Sequence, residues 1–140
     1  MTPREFSVLI VDDDPMLLEV LRIQLEHYLP SHVFIERAGD GEEGLDVMRE
    51  LAKSNINPVK IIISDYFMPG MTGTEFLLRA HVIAPNSKKI LLTGQADEET
   101  VQQLLKESEL FHFMTKPWNS SDMESVVKGF IDQLDQFQSN

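Results

Sequence analysis

Polar residues that could do chemistry stand at four places in this chain, each at the end of an apolar run of strand length. The aspartates of residues 12–14 follow the run "FSVLIV", and Asp65 follows "KIIIS". Thr93 ends the run "KILLT", and Lys116 follows "FHFMT". Such an inventory suits the handling of a phosphoryl group, because a carboxylate can attack phosphorus while a lysine and a metal ion screen the charge.

Each of these residues also has an ordinary structural explanation. A run of aspartates can be a solvated helix start, and Asp65 can cap the turn after a buried strand. Thr93 can be a strand-end hydroxyl, and Lys116 can be a surface lysine. All four features nevertheless stand at the same kind of position, which favours one shared site over four separate explanations.

Five apolar runs are predicted to be strands, and the segments between them have helical spacing. The strands are predicted at residues 6–11, 33–38, 60–64, 89–93 and 111–115, and the helical faces at 17–28, 45–51, 77–84, 101–108 and 123–137. Nearly continuous aliphatic strands are typical of a sheet that is buried on both faces. The pattern therefore predicts an α/β fold with a parallel, doubly wound sheet.

Helix starts carry their own sequence signatures. Asp14 before Pro15 predicts an N-cap with proline at the first helical position. Asp40 and Ser121 are each followed three residues later by Glu, which fits the capping box. These signatures place the predicted second and fifth helices directly after residues 40 and 121.

Ligands of an open parallel sheet bind outside the carboxyl ends of its strands, where the strand order reverses. If the order is 2-1-3-4-5, the first and third strands lie roughly 4.8 Å apart, so Asp12, Asp13 and Asp65 crowd together. Crowded carboxylates repel one another unless a cation compensates them. Because the ligands are all oxygens, the cluster predicts Mg²⁺, with Thr93 and Lys116 able to reach the same phosphate oxygens.

The whole chain bounds the remaining possibilities. Its 140 residues, 42% of them hydrophobic, suit one domain (1–140, core about 6–137) with no output domain. A net charge of -11 argues against direct nucleic-acid binding. The chain has no cysteine, its amino terminus does not resemble a signal peptide, and no stretch has the roughly 18 apolar residues of a membrane span. We therefore expect a cytoplasmic protein with no membrane partner.

Four motifs carry a resemblance to a known family. The segments "VLIVDDDP", "IIISDYFMPGMTG", "ILLTG" and "FHFMTKPW" occur in the order and at the separations found in receiver domains of bacterial two-component response regulators. The chain resembles such a domain from about Ser7 to Phe137. The resemblance implies a flavodoxin-like fold with strand order 2-1-3-4-5 flanked by five helices. It also implies a regulatory phosphoacceptor domain that catalyses only its own phosphorylation and dephosphorylation.

The resemblance implies a role for each residue of the predicted site. Asp65 would be the phosphoacceptor. Asp13 would bind magnesium directly, Asp12 mainly through water, and Phe67 through its backbone carbonyl. Lys116 would bridge to a phosphate oxygen. The peptide bond between Lys116 and Pro117 is expected to be cis.

Switching and partners are also implied only by the resemblance. Thr93 would turn its hydroxyl toward the phosphoryl group, and Phe113 would move inward behind it. The changed surface would consist of the fourth helix, fifth strand and fifth helix, where an effector protein, a fused output domain or a second copy would dock. Val126, Phe130 and Phe137 on the last helix would allow a homodimer. The phosphoryl group would come from a sensor histidine kinase or a phosphotransfer protein.

Two other interpretations stay open at this point. A haloacid-dehalogenase-like phosphatase would use Asp12 as nucleophile and Asp14 as acid, but it needs a further acidic pair after a strand beyond Lys116 and leaves Asp65 unexplained. A pseudo-receiver would keep the fold as a protein-binding module without phosphorylation, although it would then have no reason to retain mutually repelling acids. Trp118 is interpreted as a plug at the start of the last helix rather than a docking residue.

Overall fold

A parallel sheet of five strands organises the described part of the chain, residues 4–94 and 111–138, in this computed structural model. The strands are β1 (Phe6–Val11), β2 (Val33–Ala38), β3 (Val59–Asp65), β4 (Lys88–Thr93) and β5 (Phe111–Thr115). Their order is β2-β1-β3-β4-β5, and all four pairings are parallel. The predicted fold class and strand order are thus confirmed, and each strand matches its predicted span to within one residue at either end.

Helices connect or follow the strands in the described residues. They are α1 (Pro15–Glu26), α2 (Gly41–Ser54), α3 (Gly73–Ile83) and α4 (Ser120–Gln138). α4 is the helix that the sequence predicts as the fifth. The helix predicted around residues 101–108 lies outside the described residues. None of the described helices has the length and apolar character needed to cross a membrane.

Two hydrophobic cores lie on opposite faces of the sheet, which explains the unbroken aliphatic strands. The α2–α3 core includes Leu9, Ile62 and Leu91 from the strands, and it is covered by Leu45 of α2 and Phe76 of α3. The α1–α4 core includes alternate strand residues together with side chains of the other two helices: Val8, Ile10, Ile61, Ile63, Leu21, Leu25, Met123 and Val127. Successive strand residues point to opposite faces, so a central strand needs apolar side chains at every position.

Side-chain caps fix where the helices begin. The Asp14 carboxylate accepts a hydrogen bond from the backbone N–H of Met16 (2.9 Å), with proline at the first helical position as predicted. Asp40 accepts from the N–H of Glu43 (2.8 Å), and the Glu43 carboxylate accepts in turn from the N–H of Gly39 (3.1 Å). Both predicted starts are therefore confirmed.

The predicted cap of the last helix is wrong. Asn119, not Ser121, precedes the first turn of α4, and its side-chain oxygen accepts from the N–H groups of Ser121 (2.9 Å) and Asp122 (3.1 Å). Asparagine and serine are comparable N-cap residues. In the stretch "NSS" the first of the three side chains meets the free N–H groups, so the helix begins at Ser120.

Candidate active site at the carboxyl edge of the sheet

The strand register brings the predicted site residues to one edge of the sheet. β1 and β3 pair side by side, with Val11 opposite Ser64, so Asp12 directly follows the end of one strand and Asp65 ends the other. Thr93 is the last residue of β4 and pairs with Thr115, the residue before Lys116. Four neighbouring strand ends thus deliver polar side chains to the same edge.

Three carboxylates form the centre of this edge. One oxygen from each of Asp12, Asp13 and Asp65 lies within 4.8 Å of the other two. Asp12 and Asp65 are buried, each 6% exposed, whereas Asp13 is exposed. Asp12 Oδ1 also accepts a hydrogen bond from the backbone N–H of Asp14 at 2.9 Å. The crowding expected from the strand order is present.

Lys116 bridges the two buried acids. Its Nζ lies 3.0 Å from Asp12 Oδ2 and 3.0 Å from Asp65 Oδ1. Its backbone N–H donates to the carbonyl of Thr93 at 2.7 Å, which fixes the start of the segment that follows β5. The bond between Lys116 and Pro117 is cis, as expected. The Lys116 ammonium therefore contacts two of the three clustered carboxylates.

The electrostatics of the pair follow from burial and contact. Burial raises the pKa of Asp65 above its ordinary value, and the nearby charge of Asp12 adds to this while Lys116 opposes it. Burial alone would lower the pKa of Lys116, but its hydrogen bonds to Asp65 and Asp12 outweigh burial and raise it. Lys116 therefore stays protonated at neutral pH.

The residues present fit a magnesium ion. Three carboxylates within 4.8 Å of one another supply hard oxygen ligands, which Mg²⁺ and similar cations prefer. The exposed Asp13 gives the cluster an open side. One ammonium cannot neutralise three acids, so a cation gains from the remaining charge.

A tight loop carries the chain from Asp65 to α3. The backbone N–H of Tyr66 donates to the carbonyl of Leu92 (3.0 Å), and the N–H of Gly73 donates to the carbonyl of Tyr66 (2.8 Å). Gly70 turns the loop in the left-handed region, with φ of 84°. Phe67, whose carbonyl is the expected backbone ligand, lies in this loop and is 62% exposed.

The two expected switch residues lie on neighbouring strands. Thr93 is 8% exposed at the end of β4. Phe113 is half-buried on β5 opposite Leu91, and it packs against the α2–α3 core. Phe113 therefore stands two residues before the edge at which Thr93 and the acids meet.

Comparison with known proteins decides the family. The family model described as "Response regulator receiver domain" matches residues 8–128. The chain belongs to this family.

Relatives and solved structures agree with the assignment as a receiver domain. The probable chemotaxis protein CheY of Rhizobium etli is 33% identical over 93% of this chain and 95% of its own length. The hydrogenase transcriptional regulatory protein HoxA of Cupriavidus necator is 26% identical, and the match covers 94% of this chain but only 25% of that protein. A crystal structure described as adenylate cyclase from Rhodopirellula baltica superposes with a TM-score of 0.80 and 32% identity, covering 96% of this chain and 93% of that one. Receiver domains of this kind are regulatory parts of two-component systems.

Some contacts around the receiver site were not foreseen from the sequence. The indole N–H of Trp118 donates to Gln24 Oε1 on α1 at 2.7 Å, and the ring packs against the α1–α4 core as the plug interpretation expects. Gly73 also approaches the backbone of Asp65 closely. Nothing in the sequence marks Gln24 as a partner of Trp118. Gly73 directly follows Thr72, the residue that caps α3, and a glycine at such a position could have indicated close packing.

The apolar residues proposed for a dimer are partly used within the domain. Val126 and Phe130 are half-buried and pack against the α1–α4 core. The side chain of Phe137 lies outside the described residues. The apolar character of α4 is therefore explained in part by its contact with the sheet.

Proposed function

We propose that this receiver domain is a phosphorylation-dependent switch whose phosphoacceptor is Asp65. The phosphoryl group would come from the phosphohistidine of a sensor histidine kinase or of a phosphotransfer protein. The observation that carries the proposal is the arrangement around Lys116, whose Nζ lies 3.0 Å from both Asp65 and Asp12 at the edge where the acids cluster. A lysine held between a buried acceptor and its neighbour is suitably placed to meet the oxygens of an incoming phosphoryl group.

The proposed step is a direct transfer between two side chains. An oxygen of the ionised Asp65 carboxylate forms a bond to phosphorus while the P–N bond of the phosphohistidine breaks. The electron pair of that bond returns to the imidazole nitrogen. The positive charge of Lys116 favours the ionised, nucleophilic form of Asp65 against the effect of burial.

Asp12, Asp13 and Asp65, together with the Phe67 carbonyl, would hold Mg²⁺ in this state. The ion supplies screening between the carboxylates and the phosphoryl oxygens. Asp12 has a further role, because its contact with Lys116 keeps that ammonium at the site before any phosphoryl group arrives.

The switch follows from the charge that the transfer adds. A phosphoryl group brings about -1.5 to -2 charges and three strong acceptors. Lys116 would exchange its contact with Asp65 for a phosphoryl oxygen, and the Thr93 hydroxyl would donate to another. Phe113 would then move inward, altering the surface formed by β5, α4 and the helix predicted before them.

The output of the switch is either a separate effector protein or a fused output domain. The chain covers 25% of HoxA but 95% of the probable chemotaxis protein CheY, so both arrangements have precedent among its relatives. A second copy of the chain would dock on the same surface of β5, α4 and the helix predicted before them. The phosphatase interpretation is disfavoured, because it gives no role to Asp65, which lies in the carboxylate cluster and 3.0 Å from Lys116 Nζ.

Labelling with a small phosphodonor tests the proposal. The full chain is incubated with Mg²⁺ and acetyl phosphate, and its intact mass is measured beside Asp65→Asn and a control, Asp46→Asn, on the exposed face of α2. We expect one added phosphoryl group on the wild type and on the control, and none on Asp65→Asn. An unlabelled wild type would favour a pseudo-receiver, and label persisting on Asp65→Asn would move the acceptor to another residue.

A further inference from the structure

A hydrogen bond between α1 and the segment after β5 lies directly beside Lys116 in the chain. The indole Nε1 of Trp118 donates to Gln24 Oε1 at 2.7 Å, joining residues 94 positions apart. Gln24 lies ten residues beyond Asp14, the N-cap of α1, which is about 15 Å along the helix. The hydrogen bond therefore attaches the segment after β5 to the last turn of α1, whereas the Lys116 ammonium contacts Asp12 and Asp65 at the carboxylate edge.

Besides the hydrogen bond from Trp118 to Gln24, three contacts hold residues 116–119, the four-residue segment that begins at Lys116. The backbone N–H of Lys116 donates to the Thr93 carbonyl, and the Trp118 ring packs against the α1–α4 core. The Asn119 side chain caps α4. Unlike these contacts, the hydrogen bond from Trp118 to Gln24 joins two polar side chains that lie 94 positions apart, a pairing that a local sequence pattern does not predict.

The position of the ammonium depends on this segment. A lysine side chain has four rotatable bonds, so its charged end stays in one place only if the backbone that carries it is fixed. The Lys116 Nζ must sit 3.0 Å from two different carboxylates. Displacements of about 1 Å at a reacting centre can cost as much as a hundredfold in rate, so anchoring the chain two residues away matters to the transfer.

We infer that Gln24 and Trp118 are positioning residues that hold Lys116 for phosphoryl transfer to Asp65. The inference rests on the proposed function. Neither residue touches the phosphoryl group. Their hydrogen bond restrains the segment after β5. Without this bond, the Lys116 ammonium can move away from one of its two carboxylates. A half-buried indole N–H also needs a partner for stability, so the test must separate positioning from stability.

The test compares two substitutions at one position. Gln24→Leu removes the acceptor while keeping a good helix former of similar size, whereas Gln24→Glu retains an oxygen that can accept. Gln133→Leu, on the exposed face of α4, is the matched control for the exchange itself. Three quantities are measured on the full chain of each variant: the free energy of unfolding, the Kd for Mg²⁺ from isothermal titration calorimetry, and the maximal rate of labelling by acetyl phosphate.

We expect Gln24→Leu to lower the maximal labelling rate by roughly three- to tenfold and to leave the Kd for Mg²⁺ unchanged, because the proposed metal ligands lie on β1, β3 and the loop after β3. Gln24→Glu should restore the rate, and Gln133→Leu should label like the wild type. Trp118→Phe, which keeps the aromatic ring but lacks the N–H, should be as slow as Gln24→Leu and provides the result if the latter fails to fold.

Several results would overturn the assignment. Wild-type labelling rates in Gln24→Leu and Trp118→Phe would show that the bond serves stability alone. A slow Gln24→Glu would separate the effect from the hydrogen bond, and a parallel loss of Mg²⁺ affinity would indicate general loosening of the site. If the wild type itself takes no phosphoryl group, the proposed function fails first and the positioning role fails with it.

Discussion

Gly73, the first residue of α3, should be the glycine least able to accept a side chain in the described residues. A Cβ built at this position would lie 2.0 Å from the carbonyl oxygen of Asp65 and 2.8 Å from Leu91 Cδ1. Real Cβ atoms essentially never come closer than 3.0 Å to such neighbours. In Gly73→Ala the start of α3 or the end of β3 must therefore move by about 1 Å or more.

The size of the effect follows from three contributions. Overpacking against the backbone and Leu91 costs about 1–3 kcal/mol. Weakening the 2.8 Å hydrogen bond from the Gly73 N–H to the Tyr66 carbonyl costs about 1 kcal/mol more. The better helix propensity of alanine offsets less than about 1 kcal/mol. We expect Gly73→Ala to lower the free energy of unfolding by about 2–3 kcal/mol.

Gly129 provides the matched control. It is exposed within α4, and a Cβ built there meets nothing within 4 Å. Gly129→Ala should therefore raise the free energy of unfolding by about 0.5–1 kcal/mol through helix propensity alone. Urea unfolding followed by far-UV circular dichroism measures both variants. Labelling of Gly73→Ala by acetyl phosphate should also slow by roughly tenfold or more, because the displaced carbonyl belongs to the proposed acceptor.

The reasoning would be refuted by a Gly73→Ala variant within about 0.5 kcal/mol of the wild type, since the close approach would then be absent or easily relieved. It would also be refuted if Gly129→Ala lost as much stability as Gly73→Ala. In that case the effect would belong to glycine replacement in general and not to the contact with Asp65.

The structure also predicts the outcomes of three further substitutions. Asp65→Asn should gain stability relative to the wild type as pH rises from 4 to 7, because burial raises the pKa of Asp65 and the fold disfavours the charged form that the wild type acquires. Urea titrations without metal measure this difference, and a relative loss of stability in Asp65→Asn would contradict it. Lys116→Met should lose about 2 kcal/mol at pH 7 by leaving two buried carboxylates unpaired, whereas Lys128→Met, whose partner is the exposed Glu124, should lose at most about 0.5 kcal/mol. The Lys116 contribution is present in full below its ordinary pKa and is lost only as pH rises through its raised pKa, so the loss should be the same at pH 7 and at pH 9, and a smaller loss at pH 9 would count against it. Tyr28→Phe should keep or raise the unfolding free energy, by up to about 1 kcal/mol, because the buried hydroxyl has no hydrogen-bond partner among the described residues; a clear loss in urea unfolding would reveal a missed partner.

Much of the fold could be predicted because its information is local. Aliphatic runs bounded by polar residues predict each described strand to within one residue, and aspartate caps predict the starts of α1 and α2. The site could be predicted because parallel strands place all their carboxyl ends at one edge, so residues that follow them in sequence converge in space. The strand order itself does not follow from periodicity and rested on the resemblance.

Long-range contacts account for what could not be predicted. The bond from Trp118 to Gln24 and the fit of Gly73 against Asp65 depend on how helices pack, which a local pattern does not record. Lys89 is a further case, since a lysine at the start of a strand suggests exposure. It is instead 1% exposed, its Nζ donates to the Ser87 carbonyl at 2.9 Å, and burial together with the charge of Lys88 lowers its pKa to about 8.

The resting contacts of Lys116 explain why the proposed switch would need a second donor. Its ammonium already serves Asp12 and Asp65 before any transfer, so a phosphoryl group on Asp65 adds acceptors without adding a donor. A strand-end hydroxyl on the neighbouring strand β4 belongs to Thr93, whose carbonyl already accepts from the Lys116 N–H at 2.7 Å. Recruiting that hydroxyl would pull on the end of β4 beside Phe113, which packs against the same core as Leu91. On the proposed function, the recruitment of the Thr93 hydroxyl is therefore what would carry the change from the site to the surface of β5.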